Sequence, residues 1–228
     1  MSHQDFSKKA WHPYFSSHIA LSLFLFFLGL GIFALTTYSL LTKSLLYPYE
    51  KPVHDTMTTW RYSSPNWALS IANGFDYVGN VGTGVISFGL VVYWLWRKQI
   101  RKIILLLVTV AAGFLVFLAL AFLFDRTRPQ EVGLLKLFPL PGYPSGHVMI
   151  VVVLYALLLY LYLPKIHSDV WRTGLILFAL VLTVIIGFLR LYENAHFLLD
   201  VIAGFGVGLS WVVLAIFLLE WYYLRRDV

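Results

Sequence analysis

The chain contains no cysteine, and only 12% of its 228 residues are charged. The first absence excludes disulfides, thiolate metal sites and a cysteine nucleophile. The second is as informative: soluble domains carry about 25% charged residues. A chain with half that share, 60% hydrophobic and 18% aromatic, is not built to meet water on every side. Internal repeats, low-complexity tracts and Ser/Gly/Pro-rich linkers are also missing, so one membrane-embedded domain over residues 1–228 is expected. The net charge is +6 and the pI near 9.5. Its basic residues sit in short clusters between apolar runs, which fits membrane topology and not a nucleic-acid partner.

Uncharged apolar runs do recur. They cover about residues 19–41, 77–96, 103–124, 146–163, 173–189 and 197–219. A helix needs about 17–25 residues to cross the hydrocarbon core, and continuous runs without alternation argue against strands. The expected fold class is therefore all-α: a polytopic membrane protein with six transmembrane helices in one bundle. The first run is too long in its apolar core for a cleaved signal peptide. With the N-terminus inside, the inner segments carry Lys8, Lys9, the Arg97–Lys102 cluster "RKQIRK", Lys165, Arg172, Arg225 and Arg226, ten of the 17 basic residues. That bias places both termini in the cytoplasm of a cell-membrane protein. Between the first two spans, Trp60, Tyr62 and Trp67 suit headgroup depth and predict one or two short interfacial helices.

Ionisable groups gather at one level. The third span ends in "FDRTRP", with Asp125, Arg126 and Arg128. The fourth begins "YPSGH", with Ser145, Gly146 and His147. The fifth ends at Arg190, and the sixth opens on Asn194, His196 and Asp200. Any one arginine alone reads as a side chain snorkelling to the surface. Asp200 is harder to dismiss, because an aspartate inside a span is costly without a partner. His196 stands four residues earlier on the same helical face. Asp200 is expected to accept a hydrogen bond from one ring nitrogen of His196 and aim the other outward as a nucleophile or base. The same face continues through Gly204 and Gly208, which predicts close packing on a neighbouring helix. Ser145 as N-cap, or Pro144 at an early position, starts the fourth helix with its first N–H groups directed outward. Three arginines beside such donors suit a multiply charged phosphate.

Arg128-Pro129, the tetrad Pro144-Ser145-Gly146-His147, and Arg190-x5-His196-x3-Asp200 resemble the three motifs of the type 2 phosphatidic acid phosphatase superfamily. Two positions depart from its pattern: Ala121 stands where the first motif has lysine, and Leu189 where the third has serine. Arg126 or Lys136 could substitute for that lysine. The resemblance implies a lipid phosphatase without a metal or other cofactor; no protein partner is expected. His196 would attack phosphorus, Asp200 would orient it, and His147 would act as general acid and then base. Arg128, Arg190, Ser145 and the Gly146 N–H, with Arg126 as a further candidate, would hold the phosphate. The implied substrate is a lipid phosphate at the outer leaflet: phosphatidylglycerophosphate, phosphatidic acid or undecaprenyl pyrophosphate. Glu193 reads either as a group that discourages extra negative charge or binds water, or as a solvated loop residue.

Other readings keep the same residues. A transporter for an anionic phosphorylated substrate would place its site at the midplane, with repeats or broken helices. A metal site on His147, His196 and Asp200 has suitable ligands, but the arginines would repel the ion. A vanadate haloperoxidase shares the phosphate-site pattern, on chains that are soluble as a rule.

Overall fold

The structure, a computed structural model, describes residues 18–77, 82–129 and 140–226. Among them every regular element is helical. Besides two short 3-10 turns at Tyr47–Tyr49 and Leu163–Lys165, they are in chain order α1 (Ile19–Thr42), α2 (Glu50–Ser63), α3 (Asn66–Tyr77), α4 (Thr83–Trp96), α5 (Ile100–Phe124), α6 (Gly146–Tyr162), α7 (Asp169–Tyr192) and α8 (Leu198–Arg226). Five of these, α1, α5, α6, α7 and α8, are long and apolar enough to cross a membrane. Helix α4 has the same apolar character but 14 residues, which at 1.5 Å per residue extend about 21 Å. The expected second span began at Tyr77, and here the structure differs. Tyr77 closes α3, and α4 begins at Thr83, with residues 78–81 outside the described set. The two short helices expected between the first spans are α2 and α3.

Helix α8 is the centre of the packing. Its glycines let two other helices approach to backbone distance. A Cβ on Gly204 would lie 2.5 Å from the Ser145 carbonyl oxygen, and one on Gly208 would lie 2.8 Å from that of Met149, so this face takes α6. On another face a Cβ on Gly206 would lie 2.7 Å from the Gly29 carbonyl oxygen, so that face takes α1. Small residues at crossings are how helices pack in lipid, where burial of apolar surface gives no drive. Ser210 adds a hydrogen bond across the α1 crossing, donating to the Phe26 carbonyl at 3.0 Å.

Beyond these crossings, Trp94, Leu105, Leu154, Leu157 and Ile216 form a fully buried cluster that joins α4, α5, α6 and α8. The outward faces of α1 and α7 carry exposed Phe24, Phe27, Phe178 and Val184. Apolar surface on that scale suits hydrocarbon as its solvent.

Helix α5 is not uniform. Residues Leu107–Ala111 form a π-helical turn, and the Trp211 indole N–H of α8 donates to the Thr109 carbonyl inside it at 2.7 Å. At its far end α5 stops on Asp125, which has left-handed backbone (φ 41°) and an N–H bonded to Ala121. Such a residue ends a helix by reversing the chain, and it turns Arg126 and Arg128 back toward α8.

Candidate active site

The third predicted motif is built by a tight turn. The N–H groups of Ala195 and His196 both donate to the Arg190 carbonyl, at 3.1 and 3.3 Å. Asn194 takes φ 57°, a left-handed conformation that asparagine tolerates better than most residues. Asp200 then sits at the third helical position of α8. Its Oδ2 reaches back to accept the Phe197 N–H at 2.8 Å, which is the acidic half of a capping box. His196 is 1% exposed and Asp200 fully buried.

The orientation of His196 differs from the sequence expectation. Its Nδ1 lies 2.9 Å from the Gly142 carbonyl oxygen and 3.5 Å from Asp200 Oδ2. The shorter contact is the hydrogen bond. Nδ1–H donates to the backbone of the segment before α6, and Asp200 supplies charge next to the ring without a bond of ordinary length. With the proton on Nδ1, the lone pair is on Nε2. The Arg128 Nη1–H donates to it at 2.9 Å.

Arg128 is itself fixed by backbone carbonyls. Its Nε donates to Leu140 at 2.8 Å, Nη2 to Pro141 at 3.2 Å and Nη1 to Ala195 at 3.3 Å. Burial, then the charges of Arg128 and Arg190, with Arg126 further down, hold the His196 imidazole well below 6.5; the Gly142 carbonyl pulls the other way. At neutral pH the ring is uncharged and Nε2 is a free base apart from that arginine.

His147, the second residue of α6, faces His196 with ring centroids 6.4 Å apart and planes at 66°. Ser145 is the N-cap of α6, with extended backbone (φ −70°, ψ 108°) and no capping bond from its side chain. Its Oγ is buried and makes no hydrogen bond. Of the three N–H groups expected to point outward, that of Ser145 is instead donated to the Asp200 carbonyl at 2.8 Å. Gly146 and His147 are the first two residues of the helix, where N–H groups have no intrahelical acceptor. Gly146 has no room for a side chain, since a Cβ would lie 2.8 Å from the Phe117 ring.

The remaining arginines are committed to carboxylates. Arg190 Nη2 lies 2.6 Å from Glu193 Oε2, with both side chains nearly fully buried. That excludes the solvated-loop reading of Glu193. Arg126 was a candidate phosphate ligand, and its surroundings do not suit that role. Nη1 lies 2.6 Å from Asp200 Oδ1, while Nη2 and Nη1 lie 2.5 and 3.0 Å from the two oxygens of Glu50. The Phe197 ring covers the guanidinium at 4.6 Å. Ala121, at the lysine position, is fully buried against Phe117, Met149 and Val207, and Lys136 lies outside the described residues.

Three participants were not found from the sequence. Gly142 contributes a carbonyl, and a Cβ there would lie 3.1 Å from Arg128 Cγ and 3.5 Å from Asp200 Oδ2. Glu50, 5% exposed, opens α2. Tyr143 is fully buried and bonds through its hydroxyl to Thr37 and Thr36 at 2.7 and 3.1 Å; burial pushes that hydroxyl's pKa up. None of the three carries a local sequence signal beyond a glycine, an acid at a helix start and an aromatic. Among the described residues no group of three His, Asp or Glu side chains is arranged to hold a metal ion.

A family model for the PAP2 superfamily matches residues 102–225. A crystal structure of a transmembrane PAP2-type phosphatidylglycerolphosphate phosphatase from Bacillus subtilis superposes with a TM-score of 0.63. The identity is 19%, over 89% of this chain and 98% of that one, so the likeness concerns the fold. No curated protein matches the chain.

Proposed function

The chain belongs to the PAP2 superfamily, and from that premise we propose that this phosphatase removes phosphate from a lipid through a covalent intermediate on His196. One observation carries the reading. An uncharged imidazole, its proton fixed on Nδ1 by Gly142, presents Nε2 to Arg128, with a second imidazole, His147, 6.4 Å away.

The chemistry follows from that arrangement. An incoming phosphate takes Arg128 from Nε2 and pairs with its guanidinium, and the lone pair so released faces phosphorus. Arg190, the Ser145 hydroxyl and the Gly146 N–H receive the other oxygens. Arginine suits this because it stays charged and binds oxyanions bidentately. Nε2 forms a bond to phosphorus as the bond to the lipid oxygen breaks, and His147, held protonated by the negative charge of the bound phosphate, gives its proton to that oxygen. The neutral His147 then takes a proton from water, the resulting hydroxide attacks phosphorus, the N–P bond breaks and inorganic phosphate leaves. Phosphoryl transfer of this kind depends mainly on positioning and on stabilising oxygen charge.

The substrate reading is a lipid phosphate monoester of the phosphatidylglycerophosphate type. The fold neighbour acts on that chemistry, and the buried Glu193 on Arg190 disfavours a second phosphate. The basic clusters put both termini in the cytoplasm, and the histidines then face the outer leaflet. The test is phosphate release by the purified protein in detergent, compared across phosphatidylglycerophosphate, phosphatidic acid and undecaprenyl pyrophosphate. Radiolabelled phosphate should be trapped on His196 after acid-free quenching. Label on another residue, or release with no covalent intermediate, would overturn the mechanism. Preferred release from the pyrophosphate would overturn the substrate assignment.

A further inference from the structure

Helix α2 is amphipathic and lies in the segment between the first two apolar helices, yet it grips the reacting centre at three points. The Thr58 hydroxyl donates to Asn194 Oδ1 at 3.1 Å, and the Arg61 guanidinium donates to the Glu193 carbonyl. Both contacts hold the turn that carries His196. The third grip is Glu50. Its Oε1 accepts the Leu199 N–H at 3.1 Å, and its two oxygens face Arg126 as described.

The three charges form a row. Glu50 is negative, Arg126 positive and Asp200 negative, and Asp200 Oδ2 lies 3.5 Å from His196 Nδ1. If Arg126 met Asp200 alone, the pair would be neutral and the ring would feel little of the aspartate. Glu50 takes up the arginine with both oxygens, and the row keeps a net charge of one minus beside the imidazole.

We propose that Glu50 is a positioning residue for the phosphatase reaction, acting through Arg126 to keep the charge of Asp200 available to His196. The inference rests on His196 being the nucleophile. As Nε2 bonds to phosphorus the imidazole gains positive charge, and an uncompensated carboxylate next to Nδ1–H stabilises that charge. The other groups facing the ring are Arg128 from the segment after α5, the Gly142 carbonyl, His147 of α6 and Arg190 of α7. The three arginines oppose protonation, so the Glu50–Asp200 side supplies the counterweight.

Glu50→Gln removes one charge and keeps an oxygen to accept the Leu199 N–H. Measured on dioctanoyl phosphatidic acid in detergent, it should lower kcat roughly tenfold, the scale of coupling between contacting groups, with KM little changed. Glu50→Gln/Arg126→Gln should recover part of that loss, because Asp200 then has no arginine to discharge it. A purely bracing role predicts the reverse, with the double variant worse than either single one.

A second readout does not depend on turnover. In NMR titration of the histidine ring nitrogens, Glu50→Gln should shift the His196 pKa down and Arg126→Gln should shift it up. Wild-type kcat in Glu50→Gln, a double variant below both singles, or pKa shifts of the same sign would overturn the proposal. If His196→Ala keeps activity, the nucleophile reading falls instead, and the titration still decides whether Glu50 governs the ring.

Discussion

His196 and Asp200 are four residues apart on the same helical approach, yet the hydrogen bond from the histidine goes to Gly142. Nδ1 lies 2.9 Å from that carbonyl and 3.5 Å from the aspartate. The backbone sets the tautomer, and the carboxylate sets the field. These two functions can therefore be separated by substitution.

His196→Ala should abolish phosphate release, by roughly 10⁴-fold or more for loss of a covalent nucleophile. The helical circular-dichroism signal and elution volume in detergent should be unchanged. Near-normal turnover in that variant would remove the nucleophile assignment.

Asp200→Asn should lower kcat and stability together while leaving the tautomer as it is. The amide oxygen can still accept the Phe197 N–H, but Arg126 loses one of two buried carboxylates. Breaking a buried pair costs on the order of 3 kcal/mol. Ring-nitrogen NMR should find the proton still on Nδ1. A proton moved to Nε2 would mean that Asp200, and not Gly142, holds the ring.

Acidification should separate stability from the resting state of His196. The folded pKa lies well below 6.5, whereas the unfolded ring has the ordinary value. The unfolded chain thus binds more protons as pH falls below 6.5. This histidine's contribution to stability is intact above 6.5 and is lost as pH drops toward the folded pKa. The acid limb of kcat/KM should fall well below 6.5. A limb centred at or above that value would contradict a neutral, buried nucleophile. His196→Gln should flatten the corresponding part of the stability profile, measured as midpoint of thermal unfolding against pH.

Ser145→Ala separates binding from capping. The hydroxyl is buried and unbonded in the free protein, so its removal should leave thermal stability within about 0.5 kcal/mol. It should weaken phosphate or vanadate inhibition and raise KM. A large loss of stability with unchanged inhibition would make Ser145 a structural cap.

Gly204→Ala should destabilise the protein by about 1–3 kcal/mol, since overpacking a close crossing displaces backbone. The added methyl would meet the Ser145 carbonyl at 2.5 Å and push the start of α6 away from Asp200. Activity should fall with it. Gly84→Ala, where a Cβ meets nothing within 4 Å, is the control expected to be silent.

Why some of this was readable in the sequence and some was not follows from the range of each interaction. The His196–Asp200 spacing, the glycine face through Gly204 and Gly208, and the helix start at Ser145 are local patterns, and each has its place in the fold. Arg126 also looked like a phosphate ligand, since arginine beside a known motif has that chemistry. Only the fold brings Glu50 to it, from 76 positions away. The Arg190–Glu193 pair has the local i,i+3 spacing of helix neighbours, but its burial comes from the surrounding fold and has no local sign. The Gly142 carbonyl is a backbone group, so no side-chain pattern announces it. The start of α4 was misplaced because the stretch after Tyr77, VGNVGTG, carries no charge, and a run counted by the absence of charge passes over its glycines and Asn80, which are the turn signal.

The π turn at Leu107–Ala111 has a consequence for any redesign of this protein. A widened turn accommodates one residue more than the regular helix needs, and each helical residue advances the chain by about 100°. Deleting a single residue there would let α5 close into ordinary winding. Everything downstream on that helix would keep its facing, and the segment bearing Arg126 and Arg128 would stay in phase with the histidines. A deletion in the regular stretch Ala112–Phe124 has no wide turn to absorb it; it would rotate the arginine segment by about 100° and dismantle the phosphate site from a distance, without any substitution in the site itself.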